Sequence, residues 1–434
     1  MRLYAAGANL IAPLAFARHV RPRLAAHGTE PARIRERLGH ATAPRPDGPL
    51  VWFHAASVGE SLSVLRLIEH MGRDCPELSF LMTSGTATSA QVIAKRLPPR
   101  CSHQFAPLDS RAALRRFFDH WRPDAGVFVE SELWPQMIAA ARDRGVPLAL
   151  VNARLSDRSL RRWRRVPRTA RFLLGQFAMI HCQDARTATN LQALGIAGAR
   201  AGQSLKAAAG PLPFDADAHA RLAGMLGDRP VWVASSTHPG EEEVALGAHR
   251  RLLADHRSAL LILVPRHPER GGTVAEMIAH AGLTVARRST GGLPGADTQV
   301  YLADTLGETG LWYALAPLTF LGGSLTDVGG HNPYEPAQAG SAVLHGPLHA
   351  NFAQAYADLH AADAGVEVAD AGELGAVLHR LIAAPAQAAA LRENAHAFAR
   401  RQDDMLDELG RTLAHALGLV DAPGGQRTRQ ACPN

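Results

Sequence analysis

Lysine is nearly missing from this chain of 434 residues, because Lys95 and Lys206 are its only two. The positive charge therefore comes from arginine, and the formal net charge is +6 with a pI near 9.5. A guanidinium group binds phosphate and carboxylate groups bidentately, so this surplus suits anionic partners. The same surplus also arises from genome composition alone, and both interpretations stay open.

Cysteines are few as well. Cys75, Cys101, Cys182 and Cys432 lie far apart, without the short CxxC spacing that zinc or redox chemistry requires. This scatter favours a reducing compartment, and we expect a protein that faces the cytosol.

Long apolar runs are also lacking. The longest at the N-terminus, in LYAAGANLIAPLAFARHVRPRL, is shorter than the roughly twenty residues of a spanning helix, and most of its basic residues follow it, unlike in a signal peptide. We expect an interfacial helix over residues 1–30, with its apolar side in lipid and Arg18, Arg21 and Arg23 near anionic headgroups. The alternative is an ordinary amphipathic helix packed on the adjacent domain.

Two series of strand-and-loop patterns fill the rest of the chain. The first contains LVWFHAASVGE, LSFLMTSGT, HQFAP, DAGVFVESELWP and PLALVNARL, and the second contains RPVWVASST, ALLILVPRH, TQVYLAD, LTFLGGSL and AVLHGP. Each is an apolar run that ends in a polar or glycine-containing loop, and helical segments separate them. Each half is therefore expected to be a doubly wound parallel sheet.

The patterns predict an α/β protein of the GT-B plan, with two Rossmann-like domains that face a central cleft. The small residues and prolines of AGQSLKAAAGPLPFDADA indicate the linker. The expected parts are the helix over 1–30, a domain over 31–205, a second domain over 206–385, C-terminal helices over 386–420 and a tail over 421–434.

In the second half, FLGGSLTDVGGHNPYEP carries glycine pairs after an apolar strand, followed by Asn332 and Pro333 at an expected helix start. Free N–H groups at a helix N-terminus favour a phosphate, and Glu335 in the first turn is suited to a ribose hydroxyl. A glycine-rich loop by itself would be weak evidence for a nucleotide site.

Two further strand ends support that site. Arg266 and His267 follow one strand in VPRHPER, and Gly307 and Glu308 follow another in ADTLGETG. His267 alone would more often be a hydrogen-bonded structural residue. Three motifs at the carboxyl ends of strands are harder to explain by packing than any one of them.

In the first half, Glu60 follows HAASVG at a strand-to-helix turn, where a carboxylate is suited to taking a proton from an attacking hydroxyl. The alternative is an acid that simply favours the first turn of a helix. Glu130 and Glu132, in VESELWP, follow a later strand. Trp134 next to them is expected to pack in the core rather than to stack on a sugar.

These motifs together resemble one family. HAASVGE, VESELWP, NARLSDRS, AGQSLK, SSTHPGEEE, LVPRHPER, DTLGETG and GGSLTDVGGHNPYEP are similar, in order and spacing, to the motifs of the transferases of Kdo (3-deoxy-D-manno-octulosonic acid), glycosyltransferase family 30. The resemblance runs from about Arg33 to Phe352.

The resemblance implies transfer of Kdo from CMP-Kdo to a lipid A precursor, by an inverting single displacement, at the cytoplasmic face of the inner membrane. It makes residues 31–205 the acceptor domain and 206–385 the donor domain. Glu60 is then the general base, and Glu130 and Lys206 assist near the transition state. Donor contacts are expected from Pro265, Arg266, His267, Leu306, Gly307, Glu308, Asn332, Pro333, Tyr334 and Glu335.

No metal or cofactor is expected. A nucleoside monophosphate sugar has a leaving group with only one phosphate, the one DxD triplet of the sequence, Asp215-Ala216-Asp217, lies in the expected linker, and no His/Asp cluster of metal-ligand type stands out. The expected partners are CMP-Kdo, the lipid acceptor and an anionic membrane surface, with no nucleic acid.

The chain departs from the family pattern around Lys206, where GQSLKAAAG replaces GNLK followed by an aromatic residue and Asp. GETG replaces GEL, and Tyr334 replaces a leucine. Another GT-B enzyme thus stays open, either a nucleotide-sugar epimerase or a transferase for a different nucleotide sugar or ulosonic acid. A membrane-associated lipid-binding module without catalysis would not explain the carboxylates and arginine at the strand ends.

Overall fold

The computed structural model describes residues 2–205 and 210–420, and Lys206 and the tail over 421–434 lie outside them. The chain forms two compact units. The first contains residues 1–209 and 404–434, and the second contains Gly210–Asp403. The residues from Asp404 onward thus belong to the first unit, although the sequence grouped 386–420 as a separate helical segment.

The first unit is built on a parallel sheet of seven strands. The strands are β1 (Leu50–His54), β2 (Ser79–Ser84), β3 (Cys101–Phe105), β4 (Ala125–Val129), β5 (Leu148–Ala153), β6 (Phe177–Cys182) and β7 (Ala199–Ala201). Their order in the sheet is β3-β2-β1-β4-β5-β6-β7. The chain reverses its direction of strand addition between β1 and β4, so the loops after these two strands lie at the switch point where such sheets bind ligands.

The helices of this unit cover both faces of the sheet. They are α1 (Arg2–Ala15), α2 (Arg21–Ala26), α3 (Pro31–Ile34), α4 (Val58–Asp74), α5 (Ala87–Ala94), α6 (Arg111–Trp121), α7 (Pro135–Arg142), α8 (Asp157–Trp163), α9 (Pro167–Leu174) and α10 (Ala185–Gln192). All of β1 is buried, with Trp52 in the core on one face and Val51 and Phe53 in the core on the other. This alternation follows from the two-residue period of a strand.

The second unit contains a sheet with a related plan. Its strands are β8 (Val231–Thr237), β9 (Leu260–Pro265), β10 (Val285–Arg287), β11 (Val300–Leu302), β12 (Leu318–Leu321), β13 (Ala342–His345) and β14 (Gly365–Glu367), in the order β10-β11-β9-β8-β12-β13-β14. The switch point here lies between β8 and β12. The neighbouring strands of both sheets pair in parallel.

The helices of the second unit complete the layers. They are α11 (Ala216–Leu226), α12 (Glu241–Asp255), α13 (Gly271–His280), α14 (Thr309–Leu315), α15 (Tyr334–Gln338), α16 (Ala353–Ala361), α17 (Ala371–Ala383) and α18 (Pro385–Ala416). Trp232 and Phe320 lie in the core on one face of the sheet, and Val233 and Tyr301 lie in the core on the other.

The end of α18 completes the core of the first unit. Leu406, Leu409 and Leu413 lie in the same buried cluster as Leu67 and Met71 of α4. The stretch predicted as several C-terminal helices is thus one 32-residue helix.

The N-terminal segment packs on the first unit, as one of the two alternatives left open by the sequence expects, and the interfacial alternative stays a prediction. A π-helical turn over Phe16–Val20 joins α1 to α2. Phe16 and Leu24 are buried in a cluster with Phe105, so one side packs on the unit. On the other side, Leu10 and Leu14 are 71% and 64% exposed.

Within the described residues, no single helix is both long and apolar enough to cross a bilayer. The bent pair Ala371–Ala383 and Pro385–Ala416, at 105°, satisfies the length and composition criteria together.

Candidate active site

Three carboxylates gather at the switch point of the first sheet. Glu60 lies in the first turn of α4, directly after β1, and Glu130 and Glu132 follow β4. Burial raises the pKa of the Glu132 carboxyl, and the negative charges of Glu60 and Glu130 raise it further. The charges of Glu60 and Glu130 therefore lie close enough to Glu132 to affect its ionisation, as expected for residues that follow neighbouring strands.

Glu60 is held by its own turn. Its carboxylate accepts hydrogen bonds from the backbone N–H of Ala56 at 2.8 Å and from the hydroxyl of Ser57 at 2.9 Å. Ser57 in turn caps α4 by accepting the N–H of Glu60 at 3.3 Å. This reciprocal pattern is a capping arrangement, so Glu60 stabilises the helix start and is also fixed in orientation.

The backbone at Glu130 is in an unusual conformation. Glu130 and Asn152 have φ values of +56° and +52°, which non-glycine residues rarely adopt and which cluster at functional sites. The amide of Asn152 donates to Glu130 at 3.4 Å, and its oxygen accepts the N–H of Leu205 at 3.1 Å. The residue before Lys206 is therefore tied to the Glu130 site, whereas Lys206 itself lies outside the described residues.

His54, at the end of β1, is a site residue that the sequence analysis did not single out. The hydroxyl of Thr83 donates to Phe53 O and accepts the indole N–H of Trp52, so His54 Nδ1, at 3.0 Å, must donate to it too. Nε2 then carries a lone pair and has no hydrogen-bond partner among the described residues. It lies 3.8 Å from Glu132 Oε2, and burial lowers the pKa of His54 to about 3, so the imidazole is neutral.

Trp134 is not a core residue, and that expectation was wrong. Its side chain is 42% exposed, and its indole N–H donates to Glu132 at 2.6 Å. This hydrogen bond holds the indole ring beside Glu132 instead of in the core.

A largely apolar cavity of about 480 Å³ adjoins these groups within the first unit. Its apolar lining includes Ile11, Ala12, Ala15, Phe16, Val20, Leu108 and Met137, and its polar lining includes Tyr4, Arg37, His54, Asp109 and Glu132. Ala56, which donates to Glu60, also lines it. Cavities of roughly 300–1,000 Å³ hold small-molecule ligands.

The N-terminal helix forms one wall of this cavity and is hydrogen-bonded in place. Tyr4 donates to Asp109 at 2.8 Å, and Asn9 accepts the N–H of Arg111 at 2.7 Å. Asp109 also accepts the N–H groups of Gln136 and Met137 at the start of α7. One buried carboxylate thus ties α1 to the helix that follows the glutamates.

Arg37 is a second residue of the cavity that the sequence analysis missed. Burial lowers the pKa of its guanidinium to about 10. It contacts Ala106 O, but no carboxylate pairs with it in the part of the chain that the structure describes. A cationic group with a charge this poorly compensated favours an anionic ligand.

In the second unit, Arg266 lies among histidines and Glu335. Its positive charge lowers the pKa values of His238 and His331, for which burial is the larger cause, and that of His331 falls to about 4. His238 and His331 stack with their centroids 5.3 Å apart, and His267 lies edge-on to His238 at 5.9 Å. The loops after β8, β9 and β12 therefore bring three histidines, His238, His267 and His331, together with the exposed Arg266.

Glu335 is buried enough to raise its pKa, although Asn332 and the charge of Arg266 oppose that shift. The Asn332 amide donates to Glu335 at 3.5 Å, and its oxygen accepts the N–H of Tyr334 at 3.2 Å. The helix starts after Pro333, as expected, but α15 has only five residues, so its dipole contributes little.

The remaining predicted donor residues differ in accessibility. Tyr334 is 2% exposed and stacks on Phe398 at 4.5 Å, which leaves its backbone for contacts. Leu306 is 81% exposed. Pro265 is buried, Gly307 is exposed, and Glu308 pairs with Arg288 at 2.5 Å, which lowers the pKa of that carboxyl.

The first glycine pair of the loop after β12 is not an open anion site. The buried carboxylate of Glu241 accepts the N–H groups of Gly323, Ser324 and Leu325 at 2.7, 3.0 and 2.9 Å, and that of His238 at 3.0 Å. The protein's own carboxylate therefore occupies these backbone donors, whereas the sequence analysis assigned the phosphate to the helix start near Asn332 and Pro333.

The fold and the two sites define a class. Two seven-stranded parallel sheets with functional groups at their switch points are the architecture of a GT-B glycosyltransferase. A solved glycosyltransferase from Rickettsia africae shares the fold, with a TM-score of 0.55 at 9% identity over 86% of this chain and 99% of that chain.

Sequence comparison gives the family. The family model described as 3-deoxy-D-manno-octulosonic-acid transferase (kdotransferase) matches residues 32–209. A probable mitochondrial 3-deoxy-D-manno-octulosonic acid transferase of Arabidopsis thaliana is 38% identical over 80% of this chain and 79% of its own length. The solved C-terminal CMP-Kdo binding domain of WaaA from Acinetobacter baumannii is 36% identical, over 42% of this chain and 96% of that domain, with a TM-score of 0.41. The chain belongs to the Kdo transferase family, and it is a glycosyltransferase.

Proposed function

We propose that the chain transfers Kdo from CMP-Kdo to a lipid A precursor, with Glu60 as the general base. The observation that carries the proposal is the apolar cavity beside the three carboxylates of the first unit. An acceptor with acyl chains and a sugar hydroxyl matches a site that is apolar along α1 and acidic at the ends of β1 and β4. A water-soluble sugar acceptor would leave the apolar lining without a role.

Arg37 supports an anionic acceptor. It lines the same cavity and has no carboxylate partner among the described residues. A phosphate group on the lipid would neutralise a guanidinium that burial already destabilises. The same acceptor would therefore satisfy both the apolar wall and the buried cation.

The proposed step is a single displacement. A glucosamine 6-hydroxyl of the acceptor loses its proton to Glu60 while its oxygen attacks the anomeric carbon of Kdo. The bond from that carbon to the phosphate oxygen breaks, CMP leaves with both electrons, and the configuration inverts. Each carboxylate oxygen of Glu60 has one recorded hydrogen bond and a further lone pair, so its capping role is compatible with proton transfer.

Glu130 and Lys206 are proposed to act together. The hydrogen bonds from Leu205 to Asn152 and from Asn152 to Glu130 bring Leu205, the residue before Lys206, to the Glu130 site, which supports the proposal. The Lys206 ammonium would offset the charge that develops on the departing phosphate, and Glu130 would orient it.

For the donor, Arg266 is proposed to bind the CMP phosphate and Glu335 a ribose hydroxyl. Arg266 is exposed and lies close enough to Glu335 to affect its pKa, which supports one shared ligand. The short helix α15 and the Glu241-filled glycine loop make Arg266 the main source of positive charge at this site.

The membrane contact is proposed for α1 and α2. Leu10, Ile11 and Leu14 are 71%, 61% and 64% exposed, and the exposed Arg18 and Arg21 follow on the same segment. Such a face suits the anionic cytoplasmic surface of the inner membrane, where the acceptor would enter the cavity without leaving the bilayer.

Substitution of Glu60 tests the mechanism. We expect Glu60→Gln to lower Kdo transfer about 10²–10⁴-fold, since an amide cannot accept the proton, while CMP binding stays near normal. Mass spectrometry of the product from CMP-Kdo and a tetraacylated disaccharide measures transfer, and calorimetry measures CMP binding. UDP-sugars in the same assay separate a Kdo transferase from the other GT-B activities.

Glu69→Gln is the matched control, because Glu69 lies on the same helix and its side chain is 52% exposed in an ion pair with Arg66. Full activity is expected for it. Near-normal turnover of Glu60→Gln would remove Glu60 from the mechanism. Transfer only to soluble acceptors would overturn the lipid assignment.

A further inference from the structure

Three potential metal ligands meet at the edge of the second sheet. His345 ends β13 and Glu367 ends β14, and the two residues are register partners, so their side chains lie on the same side of the sheet. His349 follows in the loop after β13. One ligand atom from each of the three lies within 4.8 Å of the others, and His349 Nε2 is 4.0 Å from Glu367 Oε2.

His345 is already in the protonation state that a metal ion needs. It is fully buried, and its Nδ1 is 2.8 Å from Gly346 O, which can only accept, so the ring proton is on Nδ1. Nε2 then has a lone pair but no hydrogen-bond partner among the described residues, which is costly for a buried group. A backbone carbonyl that fixes the far nitrogen is the usual support of a metal-binding histidine.

The other imidazole is also held in place. His349 stacks on Tyr356 with centroids 4.4 Å apart and ring planes 12° apart, and the Tyr356 ring also contacts His345 edge-on at 4.5 Å. The Tyr356 hydroxyl donates to His331 O at 3.0 Å. The site is therefore largely formed before any ion binds.

We propose that His345, His349 and Glu367 bind one divalent transition-metal ion of the Zn²⁺ class. Two imidazole nitrogens and one carboxylate oxygen are ligands that Zn²⁺ accepts, and water would complete a tetrahedron. Tetrahedral ligand atoms lie about 3.3 Å apart, so ion binding would shorten the separations between these ligand atoms, which are at most 4.8 Å, by up to about 1.5 Å.

The proposed ion stabilises a loop and takes no part in the transfer reaction. A Cβ at Gly330 would stand 2.9 Å from that of His349, so the loop over 346–352 packs directly against the second glycine pair of the loop after β12. Tyr356 connects the same site to His331. A bound ion would therefore fix these two loops against each other, whether or not the proposed donor and acceptor are right.

The test uses the full chain without a histidine tag. After chelator treatment and dialysis against Zn²⁺, elemental analysis should find about one zinc per chain, as a single three-ligand site requires. Titration against a chromophoric chelator should show that His349→Gln and Glu367→Gln each weaken Zn²⁺ binding by at least about 10–100-fold, the loss already seen for outer-shell partners. Hydrogen exchange over 346–352 should slow when Zn²⁺ is added to the unmodified chain.

His379→Gln is the matched control, because His379 is an exposed histidine 3.4 Å from Asp255 and outside the cluster. Its Zn²⁺ affinity should equal that of the unmodified chain. Glu367 is exposed, so its variant should fold even if a His345 variant does not. Failure to retain zinc, or equal affinity in all three variants, would overturn the proposal.

Discussion

The carboxylates at the end of β4 sit where ionisation works against stability. Burial and the charges of Glu60 and Glu130 raise the pKa of Glu132, and this favours its protonated form in the folded state. A folded-state pKa above the unfolded value means that stability is lost as pH rises through the range in which the group ionises. Charge at this site is therefore retained at the expense of the fold, as is common at functional sites.

Glu132→Gln should accordingly stabilise the protein at pH 7, because a neutral amide avoids both burial of charge and repulsion, while the gain should shrink as pH falls below the ordinary glutamate pKa of about 4.3. Thermal unfolding at several pH values measures this. Glu69→Gln, on the exposed face of α4, should show no such gain at neutral pH. The prediction is that the variant gains more stability over the unmodified chain at pH 7 than at pH 4. A larger gain at pH 4 than at pH 7 would contradict it.

Glu241 has the opposite energetic role, since four backbone N–H groups satisfy its carboxylate. Glu241→Gln places an amide NH₂ against these donors, and we expect a loss of about 3 kcal/mol in the free energy of unfolding. Urea denaturation measures the loss. Glu243→Gln on the same helix is the control, since Glu243 is exposed and, among the described residues, accepts the Gly240 N–H alone, and it should cost less than about 1 kcal/mol.

At the residue scale, the sequence indicates which side chains follow strands but not what they contact. Glu60 and Glu130 were recognisable because their motifs end strands. The burial of Tyr334 depends on Phe398, and the role of Glu241 depends on the loop after β12, both far away in sequence. His54 was overlooked because a histidine inside an apolar strand resembles a core residue until its side chain is seen to line a cavity beside Glu132.

At the level of elements, most strands were predictable from their patterns, including β3 at one edge of the first sheet. The patterns identified β1 to β5 but missed β6, β7, β10 and β14, and β7, β10 and β14 have three residues each. A three-residue strand rarely shows the alternation that identifies a half-buried strand, and β11, which also has three residues, was recognisable only within the longer run TQVYLAD. The sheet edge with His345 and Glu367 was therefore not assembled from the sequence.

The exposed side of α1 yields a prediction for membrane binding. Replacing Leu10 and Leu14, which do not line the cavity, by Ser should weaken sedimentation with lipid vesicles by at least about 100-fold, since each buried apolar side chain contributes roughly 1.5–3 kcal/mol. Deleting the segment would be less informative, because α1 also forms a cavity wall. Replacing Met225, Val285 and Leu293, which are 43%, 38% and 42% exposed in the second unit, is the control and should leave binding unchanged.

The end of α18 yields a prediction for stability. Leu413→Ala should lower the free energy of unfolding of the first unit by about 2–5 kcal/mol, because Leu413 is fully buried against the helix α4 side of the sheet. Arg411→Ala, at an exposed neighbouring position, should change it by less than about 0.5 kcal/mol. Equal effects would mean that this turn of the helix does not pack as described.

For the molecule as a whole, the charge of +6 predicts how salt acts on membrane binding. Each basic residue near an anionic surface contributes about 1 kcal/mol, and screening shortens the reach of charges from about 10 Å at 0.1 M to about 3 Å at 1 M. Binding to anionic vesicles should therefore weaken strongly with salt, toward the level seen with uncharged vesicles. If binding to anionic vesicles did not change with salt, the charge of the protein would have no part in it, and the apolar side chains alone would account for membrane binding.

Because residues between Asp404 and Val420 complete the core of the first unit, its hydrophobic interior stays open until this segment has left the ribosome, after the whole second unit. The second unit is one continuous stretch and has no such delay. Synthesis from the N-terminus usually lets the leading domain fold first. Here the first unit can complete its core only after the second unit has been synthesised. A chain that stops before Asp404 would leave apolar residues of α4 exposed to aggregation or degradation.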